Sequence, residues 1–412
     1  MRRPNLYPPP GYRIRIMKNK REQMKDYRPD DFDFNKTLGE ISAGIKKPNI
    51  LICGATGAGK SSVVNYVFGA AVARIGHGIP VTRGITKYQR ADAGVVLYDT
   101  EGYEVGTEKI SQYKANVESW VNELRDAAIK PDKKDDTSQD LTNQIHEVWY
   151  CISAGNKRVT DMDIDVIQML KAKKLPVAVV LTQIDNLDAE ELQAMEAAIR
   201  NHCQVEFFRT SVADDPAVTA ALQEYLQWEE LIRWAIDHLD ESLREGFISA
   251  LKGNLVAKKR LINHKIIPLY TSGAAGVALT PIPFSDAALL VPIQIKMSLH
   301  IMKTYGLDQK LGNLSSLVGS VVVSESGRLL AQTLSANLFK LIPGVGTAIG
   351  TTVNTVVASS FTAAMGYAIS EICFRCATAV FEEGKEIEWA EYFNGENIAA
   401  LMAEWFKVSR HG

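Results

Sequence analysis

Cysteine and net charge are both scarce in this 412-residue sequence. Its five cysteines are few, odd in number and scattered, a pattern that excludes a disulfide-stabilised secreted domain and favours a reducing, cytoplasmic compartment. Two of them, Cys373 and Cys376, form a C-x-x-C pair with no second pair or histidine cluster nearby, so we expect buried helix residues there and not a metal site. The formal net charge is −2, which gives no reason to expect a specific nucleic-acid partner.

The rest of the composition is typical of a soluble protein, with 46% apolar and 23% charged residues in a chain long enough for two or three domains. Charge is uneven at the start, where residues 1–30 carry nine Lys or Arg against three acidic side chains. No apolar core follows this basic stretch. We therefore expect a solvated basic arm and no secretory signal.

The stretch GATGAGKSS, residues 54–62, is the most specific motif in the sequence. Its spacing fits G-x-x-x-x-G-K-[ST], and it lies between the apolar run NILIC and a helical pattern, as a phosphate-binding loop does. Glycines let backbone N–H groups curl around an anion at a helix N-terminus. In such a loop Lys60 reaches the β- and γ-phosphates, and the Ser61 hydroxyl lies on Mg²⁺. The predicted phosphate-binding residues are Gly54, Ala55, Thr56, Gly57, Ala58, Gly59, Lys60, Ser61 and Ser62.

Strand-like and helix-like segments alternate from residue 49 onward. This alternation predicts an α/β fold with a mostly parallel sheet flanked by helices, in which ligands bind beyond the carboxyl ends of the strands. The predicted strands are 49–53, 86–90, 94–99, 147–152, 176–182 and 205–210. The predicted helices are 61–68, 110–129, 160–174 and 189–201, followed by a long helical stretch over 215–259.

The motif DTEG, residues 99–102, comes at the end of a predicted strand. Asp99 is therefore predicted to hold the Mg²⁺ shell, and Gly102 to offer its N–H to a γ-phosphate. Between this motif and the phosphate loop lies IPVTRGITKY. There Thr82 is predicted to add its hydroxyl to Mg²⁺ and its carbonyl to the attacking water, with Thr86 as the alternative.

A second polar motif, LTQIDN, follows the predicted strand PVAVV. The carboxylate of Asp185 can accept hydrogen bonds from both N1–H and the exocyclic amino group of guanine, which adenine does not offer. We therefore predict that Asp185 selects the base. Ser211, at the end of the last predicted strand, is predicted to let backbone N–H groups meet the guanine O6.

The set Gly54–Ser61, Thr82, Asp99–Gly102, Thr182–Asp185 and Ser211 resembles the five motifs of a Ras-like P-loop GTPase domain. The threonine in PVTRGIT is similar to that of the Era and TrmE class. The resemblance covers about residues 49–215 and implies binding of GTP or GDP with Mg²⁺, and hydrolysis of GTP. The implied nucleotide contacts in the later motifs are Asp99, Gly102, Thr182, Gln183, Asp185 and Ser211. The implied catalytic residues are Lys60, Thr82 and Gly102, and the implied Mg²⁺ contacts are Ser61, Thr82 and Asp99.

Two residues depart from the family pattern. Gln183 stands where the family usually has a lysine whose stem covers the base, so we expect guanine specificity to persist with weaker affinity. Tyr103 follows the DTEG glycine, where Ras-type enzymes carry the glutamine that positions water. We therefore expect slow intrinsic hydrolysis, with water positioned by backbone groups, a partner or a homodimer.

The composition changes near residue 265, after which 20 of 147 residues are charged, against 74 in the first 265. Two apolar segments there predict helices around a proline break, the first capped by Ser285 and Asp286 and the second containing the G-x-x-x-G pair Gly346 and Gly350. Residues 341–370 carry no formal charge, which is length enough for a membrane span. Their threonines and serines equally suit a close-packed core helix. The alternatives are a spanning helix, a bundle that docks on a membrane and a purely soluble bundle, of which we adopt the second.

The stretches TPIPFSDAALLVPIQIKM and LIPGVGTAIG resemble the hydrophobic helical domain, of unknown function, that follows the GTPase domain in a group of bacterial proteins. The overall plan is also similar to that of immunity-related GTPases. We predict a basic arm with a lead-in helix (1–47), a GTPase domain (48–215), connecting helices (216–265) and an all-α helical domain (266–412). The interpretation is a cytoplasmic nucleotide switch acting at a membrane surface. The alternatives are a soluble Era-like assembly factor that binds the ribosome or a protein partner, and a nucleotide-dependent scaffold that hardly hydrolyses GTP.

Overall fold

The computed structural model of the protein describes residues 32–69, 79–82, 84–89, 93–103, 109–129, 144–212, 216–278, 287–308, 319, 321–322 and 351–409. Its contacts form two compact units. The first, here called the sheet unit, is Ser42–Asn254. The second, the helical unit, combines the described residues up to Ile41 with those from Leu255 onward. The sequence analysis extends the connecting helices to residue 265, and its domain bounds stay a prediction.

A seven-stranded sheet forms the centre of the sheet unit. Its strands are β1 Asn49–Cys53, β2 Ile79–Thr82, β3 Ile85–Gln89, β4 Val96–Thr100, β5 Glu147–Ser153, β6 Val177–Thr182 and β7 Glu206–Arg209. Their order across the sheet is β2-β3-β4-β1-β5-β6-β7. Strands β4, β1, β5, β6 and β7 are parallel, and β3 pairs antiparallel with β2 and β4. The predicted α/β fold with a mostly parallel sheet is confirmed.

The sequence analysis missed one strand, β2. This strand has only four residues and contains Pro80, which cannot donate a ladder hydrogen bond. It lies at the edge of the sheet, where proline is tolerated. The other six strands occur within two residues of their predicted bounds.

Helices connect the strands and continue beyond β7. They are α1 Phe34–Gly44, α2 Lys60–Phe68, α3 Lys109–Ile129, α4 Asp161–Ala172, α5 Ala189–Ala198, α6 Pro216–Leu222, α7 Trp228–His238 and α8 Glu241–Ala250. The long helical stretch predicted over 215–259 is interrupted several times. One break is Asp240, whose carboxylate caps α8 by accepting from the Ser242 N–H at 2.9 Å. Another is Asn254, which adopts a left-handed φ of 55°.

The core of the sheet unit is built around its central strands. Every residue of β1, β5 and β6 is buried, which explains their nearly continuous apolar sequences. Phe68 of α2, Trp149 of β5 and Phe247 of α8 form one aromatic cluster, with ring centroids 5.7 to 6.4 Å apart. Helix α8 therefore shares the core of the sheet and does not merely lead away from it.

The helical unit is organised around one long helix. Its helices from residue 255 onward are α9 Leu255–Leu261, α10 Ile267–Ala278, α11 Ala287–Tyr305, α12 Thr351–Ala377, α13 Trp389–Tyr392 and α14 Gly395–Val408. Helix α12 packs against α10, α11 and α14. Its Cys373 and Cys376 are both buried free thiols, and no group of three or more potential metal ligands occurs among the described residues.

Polar side chains in this apolar unit satisfy one another. Gln294 and Ser298 of α11 are fully buried. The Gln294 side-chain amide donates to the Thr362 hydroxyl of α12 at 3.4 Å, and the Ser298 hydroxyl donates to the backbone carbonyl of Gln294 at 2.8 Å. Internal pairing of this kind is what buried polar groups require in the core of a helical bundle.

One described helical segment, Ala358–Glu382, is long and apolar enough to cross a membrane by length and composition, and 61% of its apolar window is buried inside the protein. The uncharged run over residues 341–370 therefore fits both a membrane span and a close-packed core helix. The basic arm, the predicted cap at Ser285 and Asp286, and the pair Gly346 and Gly350 lie outside the described residues.

A buried acid at the start of β5 makes the stability of the sheet unit depend on pH. Glu147 is fully buried, and neither carboxyl oxygen has a hydrogen-bond partner among the described residues. Burial raises the pKa of this carboxyl well above its usual value of 4.5, although the nearby Trp149 indole opposes the shift. The folded state therefore holds the proton more tightly than the unfolded state, and stability is lost as pH rises above 4.5.

We expect Glu147→Gln to stabilise the protein at pH 7, because glutamine cannot ionise. Its advantage over the wild type should grow from pH 4.5 to 7, by at most about 1.4 kcal/mol per pH unit for one proton. Thermal unfolding at several pH values measures this difference. Glu206→Gln, on the exposed side of β7, is the matched control. An advantage for Glu147→Gln that does not change with pH would show that folding does not raise the pKa of this carboxyl.

Candidate nucleotide-binding site

The phosphate loop joins the central strand β1 to helix α2. Gly59 is the N-cap of α2, has a left-handed φ of 77°, and offers no side chain to cap the helix. A Cβ at this position would lie 3.0 Å from the Thr182 hydroxyl, so the φ angle and the available space both favour glycine. The first N–H groups of α2 are therefore left for an anion.

Lys60 lies over this loop. Its ammonium donates to the carbonyls of Gly54 at 3.0 Å and Ala55 at 3.1 Å. Ser61 and Ser62 follow in the first turn of α2 with exposed side chains. A cation and uncapped N–H groups at one helix N-terminus are what a phosphate ligand needs.

Asp99 lies near the carboxyl end of β4, next to β1 in the sheet. Its Oδ1 is buried and has no hydrogen-bond partner among the described residues. Burial raises the pKa of this carboxyl to about 6, while the charge of Lys60 opposes the rise. Mg²⁺ takes oxygen ligands and usually binds through one or two carboxylates plus phosphate oxygens. The unpaired oxygen of Asp99, with the Ser61 hydroxyl as the predicted second ligand, fits such an ion.

The switch threonine stays a choice between two residues. Thr82 ends β2, where it pairs with Ile85, and its side chain lies outside the described residues. Its Mg²⁺ and water contacts therefore stay a prediction. The alternative, Thr86, lies directly opposite Asp99 in the β3–β4 pair. Directly opposed residues project to the same face of a sheet, so Thr86 remains a serious rival.

The DTEG segment packs directly on the phosphate loop. A Cβ at Gly102 would lie 2.3 Å from the backbone nitrogen of Thr56. Any side chain at this position would therefore clash with the phosphate loop. The Thr56 N–H donates to the Tyr103 carbonyl at 3.0 Å. The glycine predicted to sense the γ-phosphate is thus held against the loop predicted to bind it.

The predicted base-reading residues also come together. The Thr182 hydroxyl donates to the Ala58 carbonyl at 2.9 Å, which ties the end of β6 to the phosphate loop. The Asp185 carboxylate accepts a hydrogen bond from the Ser211 hydroxyl. Asp185 is exposed and therefore accessible to a ligand, whereas Ser211 is buried.

Gln183 is oriented by a residue that the sequence analysis did not single out. It has a left-handed φ of 57°, and its side-chain carbonyl accepts a hydrogen bond from the Ser153 hydroxyl. Ser153 ends β5. Its position at the carboxyl end of a buried strand is the one sequence signal by which it could have been found.

Tyr103 turns into the core. It is 3% exposed, its hydroxyl donates to Asp163 at 2.5 Å, and its ring lies 5.1 Å from that of Tyr113. The Tyr113 hydroxyl accepts from the Gly54 N–H at 3.2 Å and lies 3.0 Å from the Thr100 hydroxyl. Sequence alone does not single out Asp163 and Tyr113, because both lie within helices, where no strand-end position marks them.

A family model described as "50S ribosome-binding GTPase" matches residues 49–183. The matched segment contains the phosphate loop, the DTEG motif and the start of the guanine motif. Residues 49–183 form a P-loop GTPase domain. Asp185 and Ser211 lie just beyond the match, so their roles depend on the geometry described above.

Several curated proteins are similar to parts of this chain. Magnetosome membrane protein 22 of Magnetospirillum gryphiswaldense is 33% identical over 26% of this chain and 54% of its own length. Cell division control protein 12 of Saccharomyces cerevisiae is 21% identical over 39% of this chain and 42% of its own length. A probable GTP-binding protein EngB of Caldanaerobacter subterraneus is 25% identical over 46% of this chain and 85% of its own length. The chain thus spans about half the length of the first two relatives and most of EngB.

Solved structures of GTP-binding proteins align with the same part of the chain at low scores. A probable GTP-binding protein EngB aligns with 14% identity and a TM-score of 0.30, over 46% of this chain and 97% of that one. Translation elongation factor SelB from Methanococcus maripaludis, in complex with the GTP analogue GppNHp, aligns with 14% identity and a TM-score of 0.29, over 48% of this chain and 35% of that one. The assignment of the GTPase domain therefore depends on the family match and the motifs.

We expect the hydroxyl of Thr182 to stabilise the phosphate loop and to support nucleotide binding. Thr182→Val removes the donor to the Ala58 carbonyl, which is buried, and should cost about 1–3 kcal/mol of stability. It should also weaken GDP binding, because the loop loses its tie to β6. Thr182→Ser keeps the hydroxyl and is the matched control. Thermal unfolding and titration with a fluorescent GDP measure both effects, and equal behaviour of the two variants would contradict this role.

Proposed function

We propose that the protein is a GTP-binding nucleotide switch with slow GTP hydrolysis, whose nucleotide state is coupled to a membrane-associating helical unit. The observation that supports it best is the meeting of the phosphate loop, DTEG and the guanine motif through direct contacts at Gly102, Thr56, Thr182 and Ala58. DTEG and the guanine motif, which are distant in sequence, thus both contact the phosphate loop. A switch that reports on a bound phosphate requires such contacts.

In this proposal each residue has a separate task. Lys60 and the N–H groups of the loop bind the phosphates, and Asp185 accepts the N1–H and amino group of guanine. Ser61, Asp99 and Thr82 hold Mg²⁺, which when bound neutralises charge on the transferring phosphoryl group. Gly102 donates its N–H to the γ-phosphate. Loss of that phosphate frees Gly102 and Thr82, and their movement is the signal.

Slow hydrolysis is supported by the environment of Tyr103. Its hydroxyl is engaged by Asp163 and its ring is buried, so the side chain is not available to position water. A cavity of about 350 Å³ lies beside Gly102, between this glycine, Glu101, Gln112 and Asn116. It offers room for a side chain from a partner or from the second copy in a homodimer. Either would supply the missing water-positioning group.

Asp185 gives the sharpest test of nucleotide identity. Asp185→Asn replaces one carboxylate acceptor with an amide donor, so it should lose about 1.5–3 kcal/mol of GTP binding, roughly 10- to 150-fold in affinity, and gain affinity for xanthosine triphosphate. Competition binding with the two nucleotides measures this exchange. Asp188→Asn is the matched control, since Asp188 is an exposed helix cap three residues away and asparagine caps equally well.

Lys60→Ala sets the baseline of this experiment, because it should abolish binding of both nucleotides. An unchanged preference for GTP in Asp185→Asn would remove Asp185 from the guanine site.

Membrane association is supported by the apolar helical unit and by one relative that is named a magnetosome membrane protein. The segment Ala358–Glu382 passes the length and composition test for a span, but it contains Glu371 and Arg375, which pair at 3.0 Å. A spanning helix would bring this pair deep into the bilayer, where charged side chains are costly. Peripheral docking from the cytoplasmic side is therefore the form of association that we propose.

Flotation with anionic liposomes tests the coupling. We expect the full chain to float with a non-hydrolysable GTP analogue and to float several-fold less with GDP. Lys60→Ala should float equally under both conditions because it does not bind nucleotide, and a chain ending at Asn254 should not float. Absence of flotation in both nucleotide states would refute the membrane proposal.

A second candidate function is favoured by the description of the matched family, which names binding to the 50S ribosomal subunit. In this alternative the protein is a soluble assembly factor. Co-sedimentation of the GTP-analogue form with large ribosomal subunits, combined with no flotation, would support it over the membrane proposal.

A further inference from the structure

Tyr103 is held at both ends of the residue. Its carbonyl accepts from the Thr56 N–H of the phosphate loop at 3.0 Å, and its hydroxyl donates to Asp163 Oδ1 at 2.5 Å. Its pKa is raised by burial and by the charge of Asp163, so the hydroxyl keeps its proton and acts as a donor. The residue directly after Gly102 is thus fixed between the phosphate loop and the first turn of α4.

Asp163 is satisfied without Tyr103. Its Oδ2 accepts from the N–H of Thr160 at 2.9 Å and the hydroxyl of Thr160 at 2.7 Å, which completes the capping box of α4. Its Oδ1 also accepts from the Tyr150 hydroxyl at 3.0 Å. The carboxylate therefore has three donors without Tyr103, and we infer that the fourth bond serves to fix Tyr103.

Gly102 directly precedes the residue that this bond anchors. Gly102 lies in contact with the backbone of Thr56 and is one residue from Tyr103. The Gly102 N–H can meet a γ-phosphate only if the residue is held in place, and the anchored Tyr103 fixes the Cα that follows Gly102, which limits how far Gly102 can move. Residue 103 would thus act on the phosphate by holding the backbone of Gly102. In Ras-type enzymes the residue at this place instead uses its side chain to position water.

We propose that Asp163 is a positioning residue for γ-phosphate recognition, which holds Gly102 in its binding geometry through the hydroxyl of Tyr103. The inference rests on the proposed function of the site as a GTP site. It assigns to α4 a part in distinguishing GTP from GDP. GDP has no γ-phosphate, so its affinity should not depend on this bond.

Tyr103→Phe removes only the hydroxyl. We expect affinity for the non-hydrolysable GTP analogue to fall roughly tenfold, as for one hydrogen bond to a charged acceptor, with GDP affinity unchanged. Asp163→Ala removes the acceptor oxygen and should lower the analogue-to-GDP affinity ratio to a similar extent. The double variant should fall no further than either single variant, because both remove the same bond.

Tyr150→Phe is the matched control. It removes a buried hydroxyl from the same carboxylate oxygen but keeps the hydrogen bond between Tyr103 and Asp163, and Tyr150 lies in β5, outside the DTEG segment. It should lower the melting temperature as much as Tyr103→Phe does and leave the affinity ratio unchanged. This control separates a positioning effect from a general loosening of the core.

An unchanged ratio in Tyr103→Phe, an equal change in Tyr150→Phe, or additive losses in the double variant would each overturn the proposal. If Tyr103→Phe does not fold, the comparison of Asp163→Ala with Tyr150→Phe decides the same question. Failure of the wild type to bind either nucleotide would instead refute the proposed function of the site, so the two failures are distinguishable.

Discussion

The close packing of backbone segments on the phosphate loop is the constraint on which the sheet unit depends. Gly102 lies against the backbone of Thr56, and the Thr182 hydroxyl bonds the Ala58 carbonyl on another part of the loop. The ends of β4 and β6 are therefore attached to one segment of nine residues. Because interiors are close-packed, any shift of this loop in the proposed switch would move both strand ends together. These contacts are sufficient to connect the phosphate loop to both strand ends in the proposed switch.

Much of the sheet unit follows from its sequence. Strands such as NILIC and VAVVLT are buried on both faces, so they read as continuous apolar runs, and the polar motifs stand directly after them. Because the parallel strands end at one edge, the sequence alone predicts that Asp99, Asp185 and the phosphate loop lie at one edge of the sheet. Their order in the chain is sufficient for that conclusion.

Side-chain direction was not predictable in the same way. Tyr103 was expected to matter as a missing glutamine, but its hydrogen bond to Asp163 depends on a helix that begins 58 residues later. The contact of Gln183 with Ser153 likewise joins the carboxyl ends of β5 and β6, through residues that are 30 positions apart in the chain. Spacing along one chain carries no information on such contacts. Edge strand β2 was missed for a local reason, since Pro80 and its short length conceal it.

The same limit explains the ambiguity of the apolar half. A helix surrounded by others is apolar on all sides, as a membrane span is, and α12 packs against three helices. The distinction lies in its polar side chains, since Thr362 is buried and bonded to Gln294, and Glu371 bonds Lys259 at 2.7 Å. In a bilayer these contacts would have to be kept or replaced at once. Docking of the intact bundle on a membrane therefore costs less free energy than insertion of α12.

The identity of residue 103 connects hydrolysis to regulation. Phosphoryl transfer depends almost entirely on positioning and on charge stabilisation, so an enzyme without a side chain that orients water has given up a large part of its rate. With Tyr103 committed to Asp163, that part must come from backbone groups or from another molecule next to Gly102. Under the proposed function, hydrolysis assisted by another molecule would make the lifetime of the GTP-bound state depend on an encounter with that molecule. Hydrolysis assisted by backbone groups alone would instead give the GTP-bound state a fixed lifetime.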